Sequence, residues 1–228
     1  MNLSFLLPPQ TGLQPLQIEV NRLVIAGWTG RDAQAIEHHI GELAAIGVPR
    51  PSAVPLFYRV ASHQLTQADS VQVVGEGTSG EVEPFLLFQG GEWFVSIASD
   101  HTDRPLETHS VALSKQICPK PVARSAWPLA EVLDHWDTLE LRSWIEEDGE
   151  PRLYQEGTLA ALRPPADLLA RYSAGHPPPT EGFAMACGTV GAIGGIRPSA
   201  SFRMELFDPR LDRRITHTYR CVALPVVA

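Results

Sequence analysis

Eighteen glycines and twenty prolines, together 38 of 228 residues, punctuate this chain from end to end. At about one residue in six, against the usual one in eight or so, they leave little room for long helices and favour short strands joined by turns. The apolar periodicity agrees. A first strand is expected across QIEVNRLVIAGW (17–28), followed by a helix over 31–46, where Ile36, Ile40 and Leu43 repeat at i, i+4, i+7. WPLAEVLDHW (127–136) reads as a short helix with Leu129, Val132, Leu133 and Trp136 on one face, and PPADLLARY (164–172) as another opened by prolines. The remainder alternates as strands at 71–74, 81–88, 93–98, 138–145, 152–155, 183–187, 201–207 and 214–224, the last two joined as a hairpin around DPRLD. With no repeat and no break in composition, these elements are expected to form one α+β domain spanning 1–228.

Composition narrows the class. Lys and Arg number 18 against 26 Asp and Glu, a net charge of −8, which argues against a nucleic-acid partner, since that needs a dense basic face. No apolar run reaches the roughly 18 residues of a membrane span, and MNLSFLLPPQ lacks the basic start of a signal peptide. Three dispersed cysteines, Cys118, Cys187 and Cys221, suit reduced thiols in the cytoplasm better than a disulfide framework. Sixteen of the 18 basic residues are arginine, a bias that a GC-rich genome explains. The two lysines, Lys115 and Lys120, fall together in SKQICPKP, which marks both as candidates for work that needs an amine able to lose its proton.

The densest chemistry lies in two stretches. In SGEVEPFLLF, alternation puts Glu81 and Glu83 on one face with Phe85 and Leu87, while Val82, Leu86 and Phe88 take the other. A strand apolar on both faces is a buried strand, and two carboxylates entering it side by side repel each other and resist desolvation. A divalent cation resolves both problems; an exposed strand end facing water is the plainer alternative. The second stretch, SIASDHTDRPLETHS, follows a strand with a loop carrying Asp100, His101, Asp103, Arg104 and Glu107, which reads either as a capped polar turn or as part of a site. Glu81, Glu83 and one aspartate would make an open oxygen site suited to Mg2+ or Mn2+. No His/Cys spacing typical of zinc is present.

In this order the motifs resemble the fumarylacetoacetate hydrolase superfamily. Its Glu-x-Glu strand is matched by Glu81-Val82-Glu83, and its Asn-Asp-x-x-x-Arg loop by Ser99-Asp100-His101-Thr102-Asp103-Arg104, with serine for asparagine. The lysine before a Cys-Pro stretch is matched by Lys115 with Cys118-Pro119, at a shorter gap, and the glycine-rich segment with its Gly-Thr by residues 182–194, including Gly188-Thr189. DGEPRLYQEGTLAALRPPADLLARYS looks like the family's hairpin and short helix.

The resemblance implies a mixed β-sheet roll of the superfamily's C-terminal type with a few short helices. It implies Mg2+ or Mn2+ on Glu81, Glu83 and Asp100, and Lys115 as the active-site lysine, with a lowered pKa from its charged surroundings. Arg104, Glu107, Thr189 and Arg59 fall where family members reach the substrate, Glu107 standing for the usual glutamine and Arg59 for a lysine. Only Lys115 holds the family position, so arginine would be tolerated at 120 and not at 115.

Family hydrolases and decarboxylases also carry a His-x-x-Glu pair on a lid helix. The expected place around Ala33 holds neither residue, but His39-Ile40-Gly41-Glu42 gives the spacing six residues on. On a helix, His39 would lie roughly 70° from the centre of the apolar stripe and Glu42 about 130°, neighbours at its edge. Together these imply a metal-dependent carbon–carbon bond hydrolase acting on an acylpyruvate-like or other β-dicarbonyl oxo acid through a metal-stabilised enolate. Such an enzyme would serve small organic-acid catabolism in the cytoplasm as a homodimer. A decarboxylase, tautomerase or hydratase on a related 2-oxo acid stays open, as does a non-catalytic small-acid binding protein.

Overall fold

The computed structural model describes residues 1–9, 12, 15–45, 47 and 49–227, apart from the side chains of His39, Glu42, Leu43 and Ala45. Two mixed sheets face each other. The six-stranded sheet runs in the order Trp127–Pro128, Glu92–Ser99, Val82–Gln89, Phe183–Ala186, Arg22–Gly27, Leu56–Val60. The five-stranded sheet runs Glu150–Thr158, Glu140–Glu147, Ser201–Asp208, Arg213–Leu224, Ser70–Val74. Each contains one parallel pair, Phe183–Ala186 with Arg22–Gly27 and Arg213–Leu224 with Ser70–Val74.

The central strand Val82–Gln89 is apolar on both faces, as its alternation predicts. Val82 and Leu86 enter the core between the sheets, against residues such as Met204, Ile215 and Tyr219. Phe85 and Leu87 enter a second core, closed by Leu3, Phe5, Leu16 and Ile18 of the N-terminal hairpin. Burying each of these large side chains stabilises by about 1.5–3 kcal/mol. The strand's charged start is therefore carried into the interior by the apolar residues that follow it.

Helix α1 (Ala33–Ala45) forms where expected, capped by Asp32, whose Oδ1 accepts from the N–H groups of Gln34 and Ala35 at 2.8 and 3.1 Å. It buries Ile36 and Ile40. Two short helices, α2 (Arg104–Glu107) and α3 (Val111–Gln116), follow strand Glu92–Ser99, and α4 (Pro165–Gly175) opens on prolines as predicted. The strands expected near 71, 81, 93, 138, 152, 183, 201 and 214 all form, and the last two make the hairpin at 208–213. No helix among the described residues is long and apolar enough to cross a membrane.

Two expectations fail locally. The stretch 17–28 is two strands: Leu16–Glu19 pairs with Asn2–Phe5, and Arg22–Gly27 joins the six-stranded sheet. The break comes at Asn21, where the N–H groups of Asn21 and Arg22 both donate to the Gly182 carbonyl at 3.0 and 3.3 Å. The stretch after Trp127 forms two 3-10 turns, Leu129–Glu131 and Leu133–Thr138, separated by Val132 at φ −120°. The tighter winding turns Leu133 outward, 49% exposed, while Leu129, Val132 and Trp136 stay buried. Strand Leu56–Val60, the N-terminal hairpin and α3 have no counterpart in the sequence reading.

Candidate metal centre

The site begins with strand register. Val82 pairs with Ser99 and Glu83 with Ala98 in the antiparallel ladder, so the residue leaving one strand lies beside the residue entering the other. The Asp100 N–H donates to the Glu81 carbonyl at 2.9 Å. Glu81, Glu83 and Asp100 thereby point to one spot, each offering a carboxylate oxygen within 4.8 Å of the others. Glu83 and Asp100 are buried, Glu83 only 3% exposed, and Glu81 is partly open.

Cations come from the loops that follow. Ser110 caps α3 by accepting from the Leu113 N–H at 3.3 Å, and the helix carries Lys115 to Asp100, where Nζ donates to Oδ2. Lys120 lies on a short strand paired with Leu65–Thr66; its Nζ sits 3.2 Å from Asp100 Oδ1 and donates to the His101 carbonyl. Arg104 opens α2. Its Nε donates to Ser79 Oγ at 2.7 Å, its Nη1 to Glu107 at 2.8 Å, and its Nη2 lies 3.1 Å from Glu81.

Burial opposes the Asp100 charge, but Lys115 and Lys120 override it and hold the carboxyl down at about 2. Glu83 goes the other way. Burial first, then the charges of Asp100 and Glu81, push it well above the usual carboxylate range. Among the described residues its one backbone donor is the Gly188 N–H at 2.8 Å. Gly188 adopts φ +91°, and a Cβ there would collide with Thr29 Oγ1, so only glycine brings this N–H to Glu83. Burial lowers the pKa of both lysines. Around Lys115 the charges of Asp100, Glu81 and Glu107 reverse that and raise it, whereas Lys120, beside Lys115, stays lowered. The lowered amine expected at Lys115 is therefore at Lys120, because Lys115 faces more carboxylates.

The donor set suits a divalent cation. Three carboxylates crowd one point, Glu83 has no ion pair among the described residues, and the buried Asp100 Oδ1 meets Lys120 Nζ at 3.2 Å without an aligned hydrogen bond. An all-oxygen set with protein ligands on one side fits Mg2+ or Mn2+, which keep open positions for water or substrate. The cluster is thus capable of coordinating a divalent metal.

Other expected residues sort by geometry. Arg104 and Glu107 are at the site but engaged with each other and with Glu81. The Thr189 hydroxyl donates to the Val82 carbonyl at 2.6 Å, so its proton is already committed. Arg59 is exposed and is not brought to the cluster. Its neighbour Tyr58, on the opposite face of the strand, places its ring 5.6 Å from Lys115 Nζ and accepts from Trp28 Nε1 at 3.4 Å. His39 and Glu42 lie on α1, and their side chains fall outside the described residues. Asp103 serves as the cap of α2, accepting from the Leu106 N–H at 2.9 Å.

Sequence reasoning missed Tyr58, and it placed Gly188 in the glycine-rich segment and His101 in the polar loop without giving either a role. The His101 ring lies between the Tyr219 hydroxyl at 2.9 Å and Thr78 Oγ1 at 2.8 Å. It also assigned Lys120 no role, although the arginine bias had marked it.

Residues 26–219 match a family described as a protein of unknown function, DUF2848. No curated protein matches the chain. Among solved structures, a candidate fumarylpyruvate hydrolase from Burkholderia cenocepacia is 17% identical, with 99% of this chain and 96% of that one covered and a TM-score of 0.66. A candidate fumarylacetoacetate isomerase/hydrolase from Oleispira antarctica is 16% identical over 96% of this chain and 99% of that one, with a TM-score of 0.67. A 2-keto-3-deoxy-D-arabinonate dehydratase is 15% identical over 91% and 74%, with a TM-score of 0.63. Likeness at these identities is one of fold, and it bears out the mixed-sheet α+β architecture. The chain belongs to the DUF2848 family, a divergent branch on the fumarylacetoacetate hydrolase-like fold.

Proposed function

We propose that this protein is a Mg2+- or Mn2+-dependent hydrolase cleaving a carbon–carbon bond in an acylpyruvate-like or other β-dicarbonyl oxo acid. The observation that carries the reading is the convergence of Glu81, Glu83 and Asp100 beside Lys115. When bound, a divalent cation supplies a Lewis acid that stabilises the enolate left as the carbon–carbon bond breaks. Every other part falls to side chains. Lys115, held by Asp100 and kept as an ammonium by the surrounding carboxylates, donates a hydrogen bond from Nζ to the developing oxyanion. Arg104 orients Glu81 and Glu107 through its paired guanidinium. Tyr58 screens Lys115 from water on one side. His39, oriented by Glu42, takes a proton from the attacking water at an imidazole nitrogen. The water oxygen adds to the second carbonyl, and the electron pair of the broken bond stays with the oxo-acid fragment, which then takes a proton. A homodimer, supported by the motif resemblance, belongs to the same proposal, as do a single domain, supported by the even composition, and a cytoplasmic setting, supported by the three dispersed cysteines.

The test is turnover, in magnesium, of a panel of acylpyruvates, oxaloacetate and 2-hydroxydienoates in 18-O water. Label is expected in the carboxylate released from the cleaved carbonyl. His39→Ala should slow the reaction by roughly 10²–10⁴-fold and leave metal affinity untouched, as for loss of a general base. Decarboxylation, isomerisation or hydration of an oxo acid, with a harmless His39→Ala, would overturn hydrolysis.

A further inference from the structure

We infer that Gln155 is a positioning residue for the metal centre, reaching from the five-stranded sheet to fix the backbone between its two glutamate ligands; this rests on reading Glu81, Glu83 and Asp100 as a metal site. The neighbouring strand Phe183–Ala186 pairs with Phe85 to Phe88 and stops short of Val82, so among the described residues no strand covers Val82 on that side. Side chains take its place. The Val82 N–H donates to Gln155 Oε1 at 3.1 Å, Gln155 Nε2 donates to Thr189 Oγ1 at 2.7 Å, and the Thr189 hydroxyl donates to the Val82 carbonyl at 2.6 Å. These three bonds close a ring on the one residue between Glu81 and Glu83.

The ring has a single setting. Gln155 is 1% exposed, and its amide also accepts from the Ser143 hydroxyl at 2.8 Å and donates to the Val190 carbonyl at 2.7 Å. All four positions of the amide are then filled. A flipped amide would set its NH2 against the Val82 N–H and its oxygen against the Val190 carbonyl. Gly157, two residues along the same strand, lets the loop lie close: a Cβ there would stand 3.0 Å from Val190 Cγ1.

Two ligand features follow from this anchor. Val82 sets the spacing of Glu81 and Glu83, and Thr189 fixes the turn whose preceding residue, Gly188, donates to Glu83. Groups that orient ligands in this way change metal affinity about 10–100-fold when removed. Thr189 accordingly works in the ring, its one proton spent on Val82.

The experiment is calorimetric titration of Mn2+ into the wild type, Gln155→Met, Thr189→Val, Thr189→Ser and the Gln155→Met/Thr189→Val double variant, with thermal melting of each in chelator. Gln155→Met and Thr189→Val are expected to weaken Mn2+ at least tenfold at a temperature where both are fully folded. The double variant should be no weaker than the worse single, because the ring fails as a unit. Thr189→Ser, which keeps the hydroxyl, should retain affinity within about twofold of the wild type. If Gln155→Met does not fold, the Thr189→Val and Thr189→Ser pair decides alone. Wild-type affinity in Gln155→Met and Thr189→Val, whatever their melting temperatures, overturns this inference and leaves the metal site standing. Absence of Mn2+ binding by the wild type overturns both.

Discussion

Two buried ionic clusters in this molecule solve the problem of interior charge in opposite ways. At the hairpin of the five-stranded sheet, Asp208 is fully buried and surrounded by donors. Its Oδ1 accepts from the Arg210 and Leu211 N–H groups at 3.1 and 3.2 Å and lies 3.0 Å from His135 Nε2, while Oδ2 accepts from Arg213 Nε at 3.1 Å. At the end of the six-stranded sheet, Glu83 has one backbone donor and two carboxylate neighbours. In the first arrangement both carboxylate oxygens of Asp208 find donors within the chain, and they tie the hairpin to the 3-10 turns. The second leaves negative charge that a cation would complete, and there the fold holds ligands in place at a cost to itself. Completeness of partners, more than burial, separates a structural ion cluster from a binding one.

The largest effect is expected at the complete cluster. Asp208→Ala takes one of Arg213's two carboxylate partners, Glu131 being the other, and leaves the Arg210 and Leu211 N–H groups without their acceptor; it should cost about 3–5 kcal/mol in chemical denaturation, with Mn2+ affinity unchanged. A loss under about 1 kcal/mol would erase the contrast, because solvated surface pairs behave that way.

At the incomplete cluster Glu83→Gln should do the reverse. Metal affinity should fall at least about 100-fold while the melting temperature in chelator stays level or rises, since a crowded charge has gone. Mn2+ at a hundred times the wild-type Kd should add about 2.7 kcal/mol to the wild type and no more than about 0.4 kcal/mol to the variant. Destabilisation of the metal-free variant would make Glu83 a structural carboxylate after all.

The lysines sharpen the comparison further. Family position alone would spare Lys120, but it is 1% exposed and reaches Asp100 as Lys115 does. Lys120→Arg should therefore cost about 1–3 kcal/mol from overpacking a filled slot. It should also impair activity as Lys115→Arg does. Full activity in Lys120→Arg would return that lysine to a spectator.

The smallest effect lies away from both clusters, at His217. Burial lowers its pKa below 6.5, against the raising charge of Asp69 and with Arg124 adding to the fall; the Tyr219 ring stacks beside it. The folded state thus binds a proton less readily than the unfolded chain. Its contribution is complete above about pH 6.5 and is lost as pH falls, when the unfolded histidine protonates first. His217→Gln should flatten the stability slope between pH 7 and 5, and an unchanged slope would assign the acid sensitivity elsewhere.

Much of this was legible in the sequence wherever a local period carries it. The doubly apolar run from Val82, the stripe of Ile36 and Ile40, and the prolines opening α4 each predict their element because neighbours along the chain share its geometry. Short or irregular pieces were not legible. Helix α3 has six residues, too few for a periodic signal, and it carries Lys115. The 3-10 turns after Trp127 present a helical pattern at a different pitch, which turned Leu133 outward. Arg59 sits on the outer face of its strand because Tyr58 takes the inner one, a choice that depends on which face meets the core.

By itself the sequence determined the mixed α+β character and the shared face of Glu81 and Glu83, both of which follow from local periodicity; Asp100 as their partner was implied by the motif resemblance, and the register of two strands adjacent in the chain brings it there. The tertiary structure alone decided that Lys120 joins Lys115 on Asp100, that Gly188 serves Glu83, and that Gln155 clasps Val82 from 73 residues away. Those contacts cross between loops and between sheets, and no spacing along a strand or helix encodes them. They exist because packing two apolar faces together brings distant polar groups within reach, and a buried donor or acceptor must then find its partner there.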